Sequence, residues 1–137
     1  MYFEAVIKRH DDSKDKDITE RFIVVGVELF AEAEATMLAE FSNGCNVIAL
    51  KQSKIKDVIN SRMDDEDDIY YATLEQYYIS ETGDEKSTKT EVALFAKDMT
   101  DAKSKLDAYL KQGLQDMSIF KMTKTKFLDV IDYQTVS

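Results

Sequence analysis

Tyr2-Phe3-Glu4-Ala5-Val6-Ile7 opens the chain, and Ile69-Tyr70-Tyr71-Ala72-Thr73-Leu74 opens its second half. Both alternate with the period of two that marks a strand with one buried face. Phe3, Ala5 and Ile7 match Tyr70, Ala72 and Leu74 in alternation and size. A polar stretch follows each, at residues 10–17 and 80–88. A second strand comes next, in which Ile23, Val25 and Val27 correspond to Val92, Leu94 and Ala96.

A helix stripe follows in each half. Phe30, Ala33, Met37 and Phe41 fall at i, i+3, i+7 and i+11, and Met99, Ala102, Leu106 and Leu110 repeat those intervals 69 residues later. That spacing puts four apolar side chains on one helical face. Asn43-Gly44 stops the first helix and Gly113 the second. Asp98 or Thr100 caps the start of the second, whereas the first has no good cap residue. A further strand and a short coda close each half: Val47-Ile48-Ala49-Leu50 then Asp57-Val58-Ile59, and Ser118-Ile119-Phe120 then Asp129-Val130-Ile131. The Asp-Val-Ile triplet recurs at a spacing of 72. Repetition in constant order predicts a duplicated strand-strand-helix-strand unit. The expected fold is α+β and pseudo-two-fold, with mostly antiparallel sheet and two helices. The expected boundaries are 1–62 for the first repeat, 63–68 for an acidic linker and 69–137 for the second repeat, all within one domain.

The 137 residues are 44% hydrophobic and 33% charged, an ordinary globular balance. A single Cys and a single His exclude an intrachain disulfide and leave no Cys/His zinc set. No apolar run approaches 18 residues and no signal peptide opens the chain, so the expectation is a cytoplasmic protein, monomer or homodimer, with no membrane partner. The net charge of −9 argues against a protein that coats nucleic acid, since phosphate needs a positive field. It suits docking on the basic surface of a nucleic-acid enzyme.

Several clusters invite a functional reading. Asp11-Asp12-Ser13-Lys14-Asp15-Lys16-Asp17 is not a calcium loop: Lys16 stands where glycine is required and Phe22 where a bidentate Glu is required. Asp64, Asp65, Glu66, Asp67 and Asp68 form a run of like charge, read as a solvated linker or as a mimic of phosphate in a basic groove. Lys51, Lys54 and Lys56 align with Lys121, Lys124 and Lys126 as two Lys-x-(Ser/Thr)-Lys-x-Lys stripes. Such stripes meet a phosphate backbone, or guard exposed strand edges. Tyr71 and Tyr77 share one strand face and Tyr70 and Tyr78 the other, so one pair faces away from the local core. There it stacks on bases or anchors an interface, unless both faces are covered. Cys45 has no adjoining base and reads as a small core residue, and His10 as an exposed loop residue. With no phosphate loop, nucleophile elbow or placed carboxylate pair, no enzyme and no cofactor are expected.

Tyr2-Phe3-Glu4, Phe30-Ala31-Glu32-Ala33-Glu34, Val47-Ile48-Ala49-Leu50-Lys51, Asp57-Val58-Ile59 and the Tyr70-Tyr71 opening carry a resemblance over nearly the whole chain. It resembles a family of small proteins found largely in phages and prophages of one bacterial phylum, known only as a domain of unknown function. The acidic linker and the weak first cap depart from that pattern. The resemblance implies no catalytic residue. It implies a phage setting, in which small acidic proteins often inhibit host machinery, anti-CRISPR proteins among them. The expected function is therefore a non-enzymatic inhibitor that binds a host RNA-guided nuclease and interferes with its guide RNA or target, with the linker acids, lysine stripes and exposed tyrosines as contacts. The alternatives are a single-stranded nucleic-acid-binding module of phage DNA metabolism, or a sponge holding a small molecule between the two units.

Overall fold

The computed structural model describes residues 1–112 and 116–133. The elements, in order, are β1 (Tyr2–Asp11), β2 (Lys16–Val25), α1 (Phe30–Glu40), β3 (Cys45–Gln52), β4 (Ile55–Val58), β5 (Asp68–Ile79), β6 (Glu85–Ala96), α2 (Met99–Leu110), β7 (Met117–Lys124) and β8 (Phe127–Asp132). The fold is α+β, with two helices on two mixed four-stranded sheets. One sheet runs β3-β1-β2-β8 and the other β4-β6-β5-β7. In each, the two hairpin strands and the third strand pair antiparallel, and the short coda strand pairs parallel.

The codas change places. β4 follows the first half's β3, yet it pairs with β6, Asp57 opposite Val92 and Val58 opposite Ala93. β8 follows β7, yet it pairs with β2, Val130 opposite Ile23 and Ile131 opposite Val24. The chain accordingly divides into one compact unit of residues 1–54 plus Lys126 onward, and a second of residues 55–125. This partition differs from the expected boundaries at 62 and 69, because local alternation does not reveal which distant strand a coda will pair with.

In the first unit α1 packs on the sheet through Ala33 and Met37, over Phe3, Ala5, Ile7, Phe22 and Val24. In the second, α2 buries Ala102, Leu106 and Leu110 over Tyr70, Ala72, Leu74, Val92 and Leu94. Each large core side chain contributes roughly 1.5–3 kcal/mol by leaving water. The second-strand correspondence is corrected by one residue. Val24 stands opposite Phe3 and Leu94 opposite Tyr70, so Phe22 and Val24, not Ile23 and Val25, match Val92 and Leu94. A one-residue slip exchanges the two faces of a strand. It went unseen in the sequence because Phe22, Ile23 and Val24 are all buried, as are all residues from Val92 to Ala96. A strand covered on both faces reads as an unbroken apolar run.

The helix ends follow local chemistry. The Asp98 carboxylate accepts the Asp101 amide at 2.8 Å, and Asp101 accepts the Lys97 amide at 3.0 Å. That choice leaves Thr100 inside the helix. At α1, Leu29 offers no side-chain acceptor. The Glu32 carboxylate reaches back to the Leu29 amide at 3.1 Å and completes only that half of a capping box. α1 stops where the Asn43 amide donates to the Leu38 carbonyl at 2.7 Å and the Ser42 amide to Ala39 at 3.1 Å. Ser42 and Asn43 have φ of 51° and 63° there. This is a Schellman stop. Gly44 serves it differently: a Cβ would lie 2.9 Å from the Phe41 carbonyl oxygen. The stop expected at Gly113 lies outside the described residues.

Candidate functional site

The acidic run is not a uniform solvated linker. Asp64, Asp65 and Glu66 are exposed, but Asp67 is 4% exposed. Its Oδ2 accepts the amides of Met63 at 2.9 Å and Asp64 at 3.1 Å. Those bonds, the Met63 one foremost, hold its carboxyl below the ordinary range. Arg62 donates to the Asp67 carbonyl at 2.6 Å and lies over the Phe95 ring at 4.9 Å. Asn60 donates to the Phe95 carbonyl at 2.9 Å and accepts the Phe95 amide at 2.7 Å, which docks the segment after β4 along β6. Asp68 lies in β5 and meets Lys124 at 3.3 Å. Two side chains read as separate contacts therefore pair with each other.

The lysines do not form two matched stripes. Register places Gln52 opposite Phe3 and Lys124 opposite Tyr70, so Gln52 is the counterpart of Lys124. The spacing is thus 72, as for the Asp-Val-Ile triplet, and not the 70 that aligns the lysines. At 72 only Lys54 and Lys126 coincide, each an exposed residue where the chain leaves one sheet for the other. Lys51 lies 3.5 Å from Glu4, and Glu4 also accepts the Ser53 hydroxyl at 2.9 Å. Lys56 occupies the register shift of β4, and Lys121 stands opposite Thr73. The same spacing of 72 relates two features that the sequence did not single out. Register shifts in β3 and β7 bypass Ile48 and Phe120, and each of these is 54% exposed. Bulges of this kind blunt an edge strand.

The tyrosines separate by depth. Tyr70 is buried and Tyr71 half-buried, whereas Tyr77 and Tyr78 are exposed, as is Ile79 at 69%. The cause is ladder length. β7 pairs with β5 only as far as Gln76, and β4 pairs with β6 only from Glu91 onward. Among the described residues, residues 77–87 thus form a two-stranded arm, Tyr78 opposite Lys86 and Ile79 opposite Glu85. Its turn is tied by Ser80 and Asp84, with the Ser80 amide on the Asp84 carbonyl at 2.9 Å and the Thr82 hydroxyl on the Asp84 carboxylate at 3.0 Å. Gly83 supplies the φ of 85°. A hydrogen bond to Glu75 raises the Tyr77 hydroxyl pKa.

His10 faces Asp17 at 3.2 Å, Asp15 at 3.3 Å and Asp12 at 3.8 Å. Cys45 is buried beside the Met37 carbonyl, and burial pushes its thiol pKa up, away from a nucleophile. Among the described residues, no group of three or more His, Cys, Asp or Glu is placed to hold a metal, and no helix is long and apolar enough to cross a membrane.

Comparison with curated proteins gives no match. A family model described as Domain of unknown function (DUF4494) matches residues 1–133, which include every strand and helix of the described residues. The chain belongs to that family.

Proposed function

We propose that this protein is a non-enzymatic inhibitor that docks on a basic protein surface, its target being an RNA-guided nuclease of a bacterial host in whose cytoplasm it acts. The observation that carries the reading is the state of two of the six stripe lysines. Lys51 and Lys124 are each matched by a carboxylate, Glu4 and Asp68, in a chain of net charge −9. They add no positive field of the kind a phosphate backbone requires, and a negative surface is complementary to a basic nucleic-acid channel. The reading also takes the two halves of the chain as descendants of one duplicated segment, supported by their common element order and the spacing of 72 shared by their third strands and codas.

The test is purification of the tagged full chain from a bacterial host at moderate salt, followed by target cleavage by any nuclease recovered. The expected result is a stoichiometric RNA-guided nuclease whose cleavage falls as the protein is added. Recovery of nucleic acid alone, or of a small molecule that raises the melting temperature, overturns it.

A further inference from the structure

Tyr77, Tyr78 and Ile79 are three consecutive exposed apolar residues on a ribbon that, among the described residues, has no third strand on either side. A two-stranded ribbon is marginal by itself in water, and consecutive exposed apolar residues mark an interaction surface. Tyr77 and Ile79 lie on one face of the ribbon and Tyr78 on the other. A flat partner covers one face only, whereas a groove covers both. The Ser80–Asp84 hydrogen bonds hold the turn in one conformation before binding, which lowers the ordering cost of docking.

Charge selects the occupant. Glu81, Asp84 and Glu85 crowd the tip and are exposed, so phosphate is repelled there. We infer that the arm of residues 77–87 is the docking element, seated by Tyr77, Tyr78 and Ile79 in an apolar groove of a partner protein whose basic rim meets Glu81, Asp84 and Glu85. The inference rests on the binding reading above and adds the element and the partner's chemistry.

The experiment uses the full chain and a synthetic peptide of alternating lysine and leucine as probe, so it does not depend on which nuclease is the target. Amide hydrogen exchange is mapped with and without the peptide, and with a single-stranded oligothymidylate. The expected result is peptide-dependent protection concentrated in residues 77–87. Affinity should fall roughly tenfold or more in Tyr77→Ser/Tyr78→Ser and also in Glu81→Gln/Glu85→Gln, with the melting temperature of the second variant unchanged. Protection spread over the whole surface, or affinity untouched by both variants, overturns the arm as the docking element. Protection of the arm by oligothymidylate instead overturns the basic-protein assignment. So does concentration-dependent self-association that the tyrosine variant abolishes. Failure of the nuclease assay together with arm protection by the peptide would overturn the target and leave the arm standing.

Discussion

Asp67 shows how a single carboxylate in a charged run acquires a structural task. Its neighbours Asp64, Asp65 and Glu66 face solvent, while its own Oδ2 gathers the amides of Met63 and Asp64. Charge pattern alone does not separate these residues, since the difference arises from a turn that folds the chain back on the carboxylate. Its folded-state pKa is lowered, so the stability it supplies is present above the ordinary carboxylate value. That stability is lost as pH falls through the lower folded value. Asp67→Asn should therefore lower the melting temperature near neutral pH. The gap to the parent protein should close as pH falls below the ordinary carboxylate range. A gap that stays constant across that range in thermal melts would show that the charge contributes nothing. Cys45 illustrates the opposite case, in which the isolated thiol without a base was readable as a core residue and is one.

At the scale of elements, both helices were legible because periodicity of 3.6 is local and each stripe is short. Ala33, Met37, Ala102 and Leu106 are fully buried, as their spacing requires. Phe30 and Met99, first in each stripe, are exposed, since the first turn overhangs the core. Leu106→Ala should cost about 2–5 kcal/mol of stability in urea unfolding. A loss well below 1 kcal/mol would mean that α2 does not close the second core. Strand identity was legible as well, but strand register was not. The lysine motif and the Asp-Val-Ile triplet offered two spacings, and only pairing across the sheet decides between them. The arm was hidden for a related reason. Tyr71 and Tyr77 look alike in sequence, and what separates them is where β7 ends, at a partner more than 40 residues away.

For the whole molecule, the decisive feature is that the coda of each half completes the sheet of the other. Val58 and Val130 sit in identical triplets, so no local signal names their partners. The core of the first unit then depends on a residue from the far end of the chain. Ile131→Ala should cost about 2–5 kcal/mol and should speed hydrogen exchange at residues 21–25, which lie beside β8. Unchanged exchange there would show that β2 is held without its parallel neighbour.

The same exchange sets an order on biosynthesis. A chain growing from its N-terminus makes β1, β2 and β3 first, yet the flank of β2 stays bare until Phe127–Asp132 emerges. The second unit occupies one unbroken stretch, residues 55–125, and has all its strands once that stretch is made. Its sheet can close while the earlier one is still waiting. Completion thus runs opposite to synthesis, and the nascent chain carries an open β2 edge until residues 127–132 have been made. Such an edge is a site for mispairing between neighbouring nascent chains, so the folded yield should depend on how quickly β8 follows β2.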